Sequence, residues 1–402
     1  MWFGSPEVHA ITRALEISAI ELGESPVLGR DLRIELVPGT TVLVGRNGAG
    51  KSAILERLSA CAEHVWQPVD TQPDPARFAC EVAVRGSVTR FRYECTWKLR
   101  TLPSGAPELE RLLAGPLIVE TCRRLGGAED YLWQLHDGKL LQSDGTRAEL
   151  PPERTLLNWV LAHHDFVFSQ MAFPLFNLFS TVGSVAPMTP LRDKGSEELI
   201  VPYDISAKPR KRGETRSGPR VALLYKIKDW HEESRETYDE LVSLGQRIGL
   251  FRNLHLKVYR DPEPASKRAR DLVSVSVDGV DLGFLSDGTV RALELLCALV
   301  EPEMKLILID EPERAVHPGL LGKLLHEIAA YSSDRQILLS THSPQVVSWA
   351  KPEAIRVVTR TDGATHVRGL GDKTIKHLEQ YLHDEDTLGE FVYGGGLDGF
   401  EE

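Results

Sequence analysis

Cysteine is scarce in this chain, and no two cysteines stand close enough to form a C-x-x-C pair. Cys61, Cys80, Cys95, Cys122 and Cys297 are scattered over 402 residues. That spacing excludes a zinc knuckle and a disulfide framework, and it suits reduced thiols. No apolar run approaches the length of a membrane span. No basic stretch followed by an apolar one opens the chain, so a secretory leader is not expected. The expectation is a cytoplasmic protein without a membrane partner. Internal repeats are also missing. A formal net charge of −11 argues against coating of nucleic acid or anionic lipid by the whole surface. What is present is ordinary for a globular chain: 42% hydrophobic and 26% charged residues, over a length that suits about two or three domains.

The first segment reads as strands. In DLRIELV, Leu32, Ile34 and Leu36 alternate with Arg33 and Glu35, the pattern of a half-buried strand. TTVLVG follows as a fully buried strand and KSAILERLSACAEH as a helix. ACEVAV and RFRYECTWKL, with Gly86-Ser87 between them, predict an antiparallel hairpin. A helical run follows in PPERTLLNWVLAHHDFVFSQ; adjacent side chains diverge on a helix, so His163, His164 and Asp165 make a poor metal site. KPRKRGETRSGPR, Lys208 to Arg220, carries six basic residues against one acidic and predicts a loop. VALLYKIKDWHEESRETYDELVSLGQRI predicts one long amphipathic helix. LHLKVYR and LVSVSVDGVDLGFL return to strands, with Asp278-Gly279 suited to a two-residue hairpin turn. Beyond them strand and helix alternate, which predicts a parallel sheet covered by helices.

Four stretches carry chemistry. GRNGAGKS fits G-x-x-x-x-G-K-[ST] between a buried strand and a helix. Gly45, Arg46, Asn47, Gly48, Ala49 and Gly50 would wrap a triphosphate with backbone N–H groups. Lys51 would reach the β- and γ-phosphates, and the Ser52 hydroxyl would bind Mg²⁺. LILIDEPE ends a buried strand in two acids; Asp310 suits the Mg²⁺ and Glu311 the activation of water. ILLSTHSP ends another buried strand. His342 there suits either a donor to the γ-phosphate or a turn residue at the next helix. GFLSDGTVRALELL joins a strand end to a helix: Ser286 or Asp287 would cap it, and its N-terminus would suit a phosphate.

The order of these motifs resembles that of the ABC-type ATPases, and within them the SMC/RecF-like and OLD-like branch that includes the AbiEii-type AAA domains. The resemblance implies an α/β fold: a P-loop NTPase head of the ABC type with an antiparallel β subdomain and a mainly helical insertion. The expected divisions are 12–150 for the first part of the head and 151–270 for the insertion, with a basic linker at 187–220. The second part of the head is expected at 271–360 and an acidic, Gly-rich extension at 361–402. In such proteins two copies close on ATP, so Ser286 and Gly288 of one copy would contact the γ-phosphate held by GRNGAGKS of the other. The resemblance also makes Asp310 and Glu311 the Walker B pair, His342 the switch histidine, and Gln170 in FVFSQ the Q-loop glutamine at the metal. EPERAVHP resembles the D-loop.

Two departures stand out. Asp287 and Thr289 replace the Gly and Gln of transporter ATPases, and an acid beside a triphosphate is repelled unless its side chain turns away. No strand-end acidic cluster follows STHSP, so the Toprim nuclease of some OLD-family proteins is not expected. Three readings stay open. One is an ATP-hydrolysing homodimeric switch in anti-phage defence or a toxin–antitoxin-like system, acting on a separate effector (a nuclease or toxin). Another is a DNA repair or maintenance ATPase whose basic stretches, Lys208 to Arg220 and Ser266 to Arg270, touch DNA. The third is a scaffold that binds ATP without hydrolysing it, against which intact Lys51, Asp310 and Glu311 count.

Overall fold

The computed structural model describes residues 14–67, 73–98, 116–126, 130–152, 154–160, 171–185, 201–204, 219–259 and 270–371. The chain divides into two compact units. One comprises Met1–Ser184, Met304–Asp310 and Ala329–Glu402; the other comprises Val185–Glu303 and Glu311–Ile328.

The first unit opens with strands β1 (Leu15–Leu22), β2 (Leu32–Glu35) and β3 (Thr40–Val44), then helix α1 (Lys51–Trp66). Strands β4 (Arg77–Val84), β5 (Arg90–Lys98), β6 (Leu117–Leu125), β7 (Asp130–His136), β8 (Lys139–Gln142) and β9 (Arg147–Glu149) follow. Then come α2 (Leu156–Val160), α3 (Ala172–Ser180) and β10 (Val182–Val185). An antiparallel sheet runs in the order β2-β1-β4-β5-β6-β7-β8-β9. The predicted hairpin is its β4–β5 pair, with Cys80 opposite Tyr93 and Val82 opposite Phe91. Gly86, at φ 75°, takes the turn. One face of this sheet buries Phe78, Tyr93, Cys95, Trp97, Ile118 and Trp133.

Glu120 lies on that buried face of β6, fully inaccessible. It accepts the N–H of Leu156 at 2.5 Å and so holds the first turn of α2. Thr155 Oγ1 donates to Val65 O at 2.5 Å and Asn158 Nδ2 to Trp66 O at 2.8 Å, which ties α2 to the end of α1. The period-2 strand pattern places a carboxyl where the core calls for an apolar side chain, and the helix N–H supplies the hydrogen bond that makes its burial tolerable.

The same unit holds the parallel sheet, in the order β10-β15-β16-β3-β17-β18. Its later strands are β15 (Leu306–Asp310), β16 (Gln336–Thr341), β17 (Ile355–Thr361) and β18 (Ala364–Gly369). β15, β16, β3 and β17 run parallel, as their near-continuous apolar sequences predict. β15 and β16 are buried at every position. Gln336 links the two sheets: its amide accepts the N–H of Ile17 at 2.7 Å and donates to Ile17 O at 2.8 Å.

The second unit carries β11 (Val201–Asp204), α4 (Pro219–Glu233), α5 (Arg235–Ile248), β12 (Leu254–Tyr259), β13 (Arg270–Val277) and β14 (Val280–Asp281). The helix α6 (Asp287–Val300) completes this stretch. β11, β13 and β12 form a sheet in that order, with β14 paired to β13. The Asp278-Gly279 turn has positive φ at both residues, 50° and 84°, as a two-residue hairpin requires. Two expectations are corrected here. Part of the expected 187–220 linker is ordered: β11 pairs with β13, and α4 begins at Pro219. The expected single long helix is two. Ser234, at φ −138° and ψ 70°, breaks it, and its hydroxyl lies 2.8 Å from that of Thr237. Ser234 takes the N-cap position of α5 by its non-helical backbone, without a side-chain hydrogen bond to a helix N–H. Helix α7 (Pro318–Tyr331) spans the border between the units; α8 (Pro344–Trp349) belongs to the first.

Burial pushes the Glu120 carboxyl up to about 7, partly offset by the Leu156 N–H. An unfolded glutamate loses its proton at about pH 4 to 5. The folded state therefore binds more protons in between, and the contribution of Glu120 to stability is present at low pH and lost as pH rises through 7. Glu120→Gln should flatten the decline of stability between about pH 4.5 and 7. Chemical denaturation across that range checks it; parallel pH profiles for the two proteins would contradict it.

Candidate functional site

Strand β3 delivers the chain into Gly45–Gly50, and α1 starts at Lys51. Gly48 (φ 82°) and Gly50 (φ 106°) adopt the left-handed backbone that the wrap needs. Gly45 is fixed by proximity: a Cβ there would sit 2.2 Å from Val358 O. Arg46, Asn47 and Gly48 are exposed at the crest of the loop, while Ala49 is buried beneath it. Lys51 is 5% exposed. Its ammonium donates to Gly45 O at 2.7 Å and to Arg46 O at 3.2 Å, which curls it over the loop.

Asp310 ends the apolar β15 and is 5% exposed. Two hydroxyls converge on its Oδ1. Ser52 Oγ, from the first turn of α1, donates at 3.1 Å. Ser340 Oγ, from the neighbouring β16, donates as well. Parallel pairing places Asp310 opposite Ser340, and Thr341 opposite Val44 on β3. The register itself thus brings the acid, both hydroxyls and the glycine loop to the carboxyl end of one sheet, where ligands bind in open α/β folds. A carboxylate and a hydroxyl are hard oxygen donors of the type Mg²⁺ takes beside phosphate. Among the described residues no group of three or more His, Cys, Asp or Glu side chains is placed to hold a metal. A cation here would draw on phosphate and water besides these oxygens.

His342 directly follows β16 and is exposed. The turn around it is held by Thr341 Oγ1, which accepts the Ser343 N–H at 2.9 Å. Glu311, the residue after Asp310, has φ 49°. Left-handed backbone at a non-glycine residue costs about 1–3 kcal/mol and tends to cluster at functional positions.

The second unit contains the LSDG joint. A 3-10 turn, Leu282–Phe284, precedes it, and Ser286 is the N-cap of α6, accepting the Thr289 N–H at 3.2 Å. Of the two capping candidates, Ser286 is the one that caps. Asp287 instead pairs with Arg220 at 2.9 Å. Gly288 packs against the backbone of the EPERAVHP loop: a Cβ at 288 would lie 2.2 Å from Ala315 O. In that loop Ala315 has φ 62°, and His317 Nδ1 accepts the Gly319 N–H at 3.1 Å to start α7.

The structure thus brings Gly45–Ser52, Asp310 and the start of the His342 turn together within one unit, and it puts Ser286, Gly288 and Glu311 in the other. Gln170, His163, His164 and Asp165 lie outside the described residues. Two contributors escaped the sequence reading as site residues. Ser340 stood in a recognised strand end but had no assigned role; Arg220 stood in a stretch expected to be a solvated loop, yet its side chain is only 15% exposed.

Residues 226–348 match the family described as "AAA domain, putative AbiEii toxin, Type IV TA system". The match spans α5, α6, β15 and β16 and begins within α4. No curated protein matches the chain. Among solved structures, an SMC head bound to the C-winged helix domain of ScpA aligns at 12% identity and TM-score 0.44, over 90% of this chain and 99% of that one. The SMC head domain from Thermotoga maritima aligns at 12% identity and TM-score 0.38, over 89% and 99%. An ATP-binding subunit of an ABC transporter aligns at 15% identity and TM-score 0.39, over 95% and 98%. Likenesses this remote carry no part of the functional reading.

The packing of Gly288 on Ala315 O leaves no room for a methyl group. Gly288→Ala should cost about 1–3 kcal/mol of stability, the usual range for overpacking, read as a lower denaturation midpoint. A variant as stable as the parent would contradict the close approach.

Proposed function

We propose that this chain is a P-loop ATPase of the AAA/ABC type, a switch that binds Mg²⁺·ATP at Gly45–Ser52, dimerises around it and hydrolyses it. The observation that carries the reading is the convergence of the Ser52 and Ser340 hydroxyls on Asp310 at the mouth of the glycine loop. Bound ATP would lie along the N–H groups of residues 45–50, with the Lys51 ammonium at the β- and γ-phosphates. Ser52 and Asp310 would hold Mg²⁺, whose chemistry is to draw charge from the phosphate oxygens as the terminal bond breaks. Glu311 would orient and deprotonate the attacking water, and His342 would donate a hydrogen bond to the γ-phosphate or that water. Ser286 and Gly288 of a second copy would close the site, so hydrolysis would release the dimer. Gln170 is proposed as a further group near the metal.

Such a cycle does no chemistry on another molecule, so its output must pass to a partner. The matched family's description, a putative toxin of a type IV toxin–antitoxin system, supports a role in anti-phage defence or a toxin–antitoxin-like system with a separate effector. A DNA-repair reading leans on the basic stretches Lys208 to Arg220 and Ser266 to Arg270. Arg220, at the end of the first stretch, is engaged with the LSDG joint and so is not available to a DNA backbone there.

Glu311→Gln should retain ATP binding, slow turnover by roughly a hundredfold or more, and accumulate an ATP-dependent dimer. Light scattering with saturating Mg²⁺·ATP checks it. A variant that stays monomeric would sink the sandwich, and one that turns over at the parental rate would remove Glu311 from its role.

A further inference from the structure

The LSDG joint holds an unresolved electrostatic conflict. If the joint closes on a triphosphate, as the proposed function requires, Asp287 brings a carboxylate to a site that must accept several negative charges. The helix N-terminus favours an anion there, but Asp287 would compete with the phosphate for that same field.

Arg220 meets this conflict directly. It is the second residue of α4, and its guanidinium makes three contacts in the joint. Nη1 donates to Leu282 O at 3.0 Å and to Gly283 O at 2.7 Å. Nη2 donates to Asp287 Oδ1 at 2.9 Å. One planar group therefore spans both sides of the Leu285-Ser286 junction, holding the 3-10 turn before it and the first helical residue after it. Only a fork with fixed donor directions can do this; an ammonium offers a point charge. The contact also draws the Asp287 carboxylate to Arg220 and leaves helix capping to Ser286.

Two neighbouring acids have cations of their own, although Arg220 also acts on Glu294. Arg291 stands 3.7 Å from Glu294 one turn further along α6. Lys226 of α4 pairs with Glu301, at the far end of α6, at 3.0 Å. The two helices are thus joined by ion pairs near both ends of α6, and Arg220 is the cation matched to the acid within the signature.

We propose that Arg220 is a positioning residue for the signature loop: it neutralises Asp287 and turns it aside so that Ser286 and Gly288 can face a nucleotide phosphate. The pair Arg220–Asp287 then does together what an uncharged glycine does in LSGG. This rests on the proposed closure of LSDG over ATP, and it assigns to α4 a direct hold on the closing surface. Anything that moves the start of α4 would move the charge at the signature with it.

The test is charge-specific rescue in the full-length protein. Arg220→Ala should lower ATP turnover by roughly tenfold or more, through an uncompensated like charge at the phosphate, and weaken the ATP-dependent dimer. Binding of Mg²⁺·ATP by the monomer should be unchanged. Arg220→Lys, which keeps the charge and loses the fork, should fall between the two and serves if the alanine variant folds poorly. Adding Asp287→Gly to Arg220→Ala should restore turnover to the level of Asp287→Gly alone. A double variant as slow as Arg220→Ala would show that Arg220 merely props the loop, and the proposal would fail. Parental turnover and dimerisation by Arg220→Ala would also overturn it while leaving the proposed function standing. If the parent itself neither dimerises nor turns over ATP, the reading of the site falls and this pairing falls with it.

Discussion

A carboxylate at the end of a buried apolar strand has to find hydrogen-bond donors or a cation, because an ionised group cannot stay buried alone. Asp310 finds the hydroxyls of Ser52 and Ser340, and the surrounding architecture follows from supplying them. The parallel register of β15 on β16 delivers Ser340, and the same register of β16 on β3 sets the glycine loop beside it. Helix α1 then starts one residue before Ser52. Three separate stretches of sequence, far apart along the chain, thus meet at one sheet edge, and none of them could move by a residue without leaving the acid short of a donor.

The second unit is organised around a different constraint, the geometry of a helix start. Ser286 caps α6, Gly288 admits the Ala315 carbonyl, and Arg220 clamps the turn that leads in. The LSDG joint and the loop after Glu311 therefore share a backbone contact inside one unit. Arg247 and Glu327 extend that cohesion with a two-pronged ion pair at 2.9 Å, which joins α5 to α7. Bidentate geometry and a largely buried carboxylate make this pair stronger than an ordinary surface bridge. A change in the EPERAVHP loop would be felt at the LSDG joint through packed backbone, without any long relay.

Much of this was legible in the chain because the informative residues obey local rules. The glycine-rich loop between a buried strand and a helix, the acids ending LILID and the alternating strands and helices of the last third each point to one element. What was hidden involves residues that break their own local pattern. Leu117–Leu125 is hard to recognise as a strand because Glu120 sits in its buried register, and a distant N–H from Leu156 helps to make that tolerable. Ser234 falls in a run whose helical period continues on both sides, so the break rests on the non-helical backbone of a single residue. Arg220 looks like one more basic residue of a loop; its partners are two backbone carbonyls and an acid more than 60 residues away, as the sequence separations of 62, 63 and 67 show. Pairings of that kind depend on tertiary structure, and no periodicity announces them.

Equilibrium binding of a fluorescent ATP analogue tests most directly whether Asp310 serves a metal-bound nucleotide. Binding would be measured for the parent and for Asp310→Asn, each with Mg²⁺ and with a chelator. The predicted result is Mg²⁺-dependent tightening in the parent that is lost in the variant, with Mg²⁺-independent binding retained by both. Binding by the parent that ignores Mg²⁺ would contradict the account, and so would equal tightening in the two proteins.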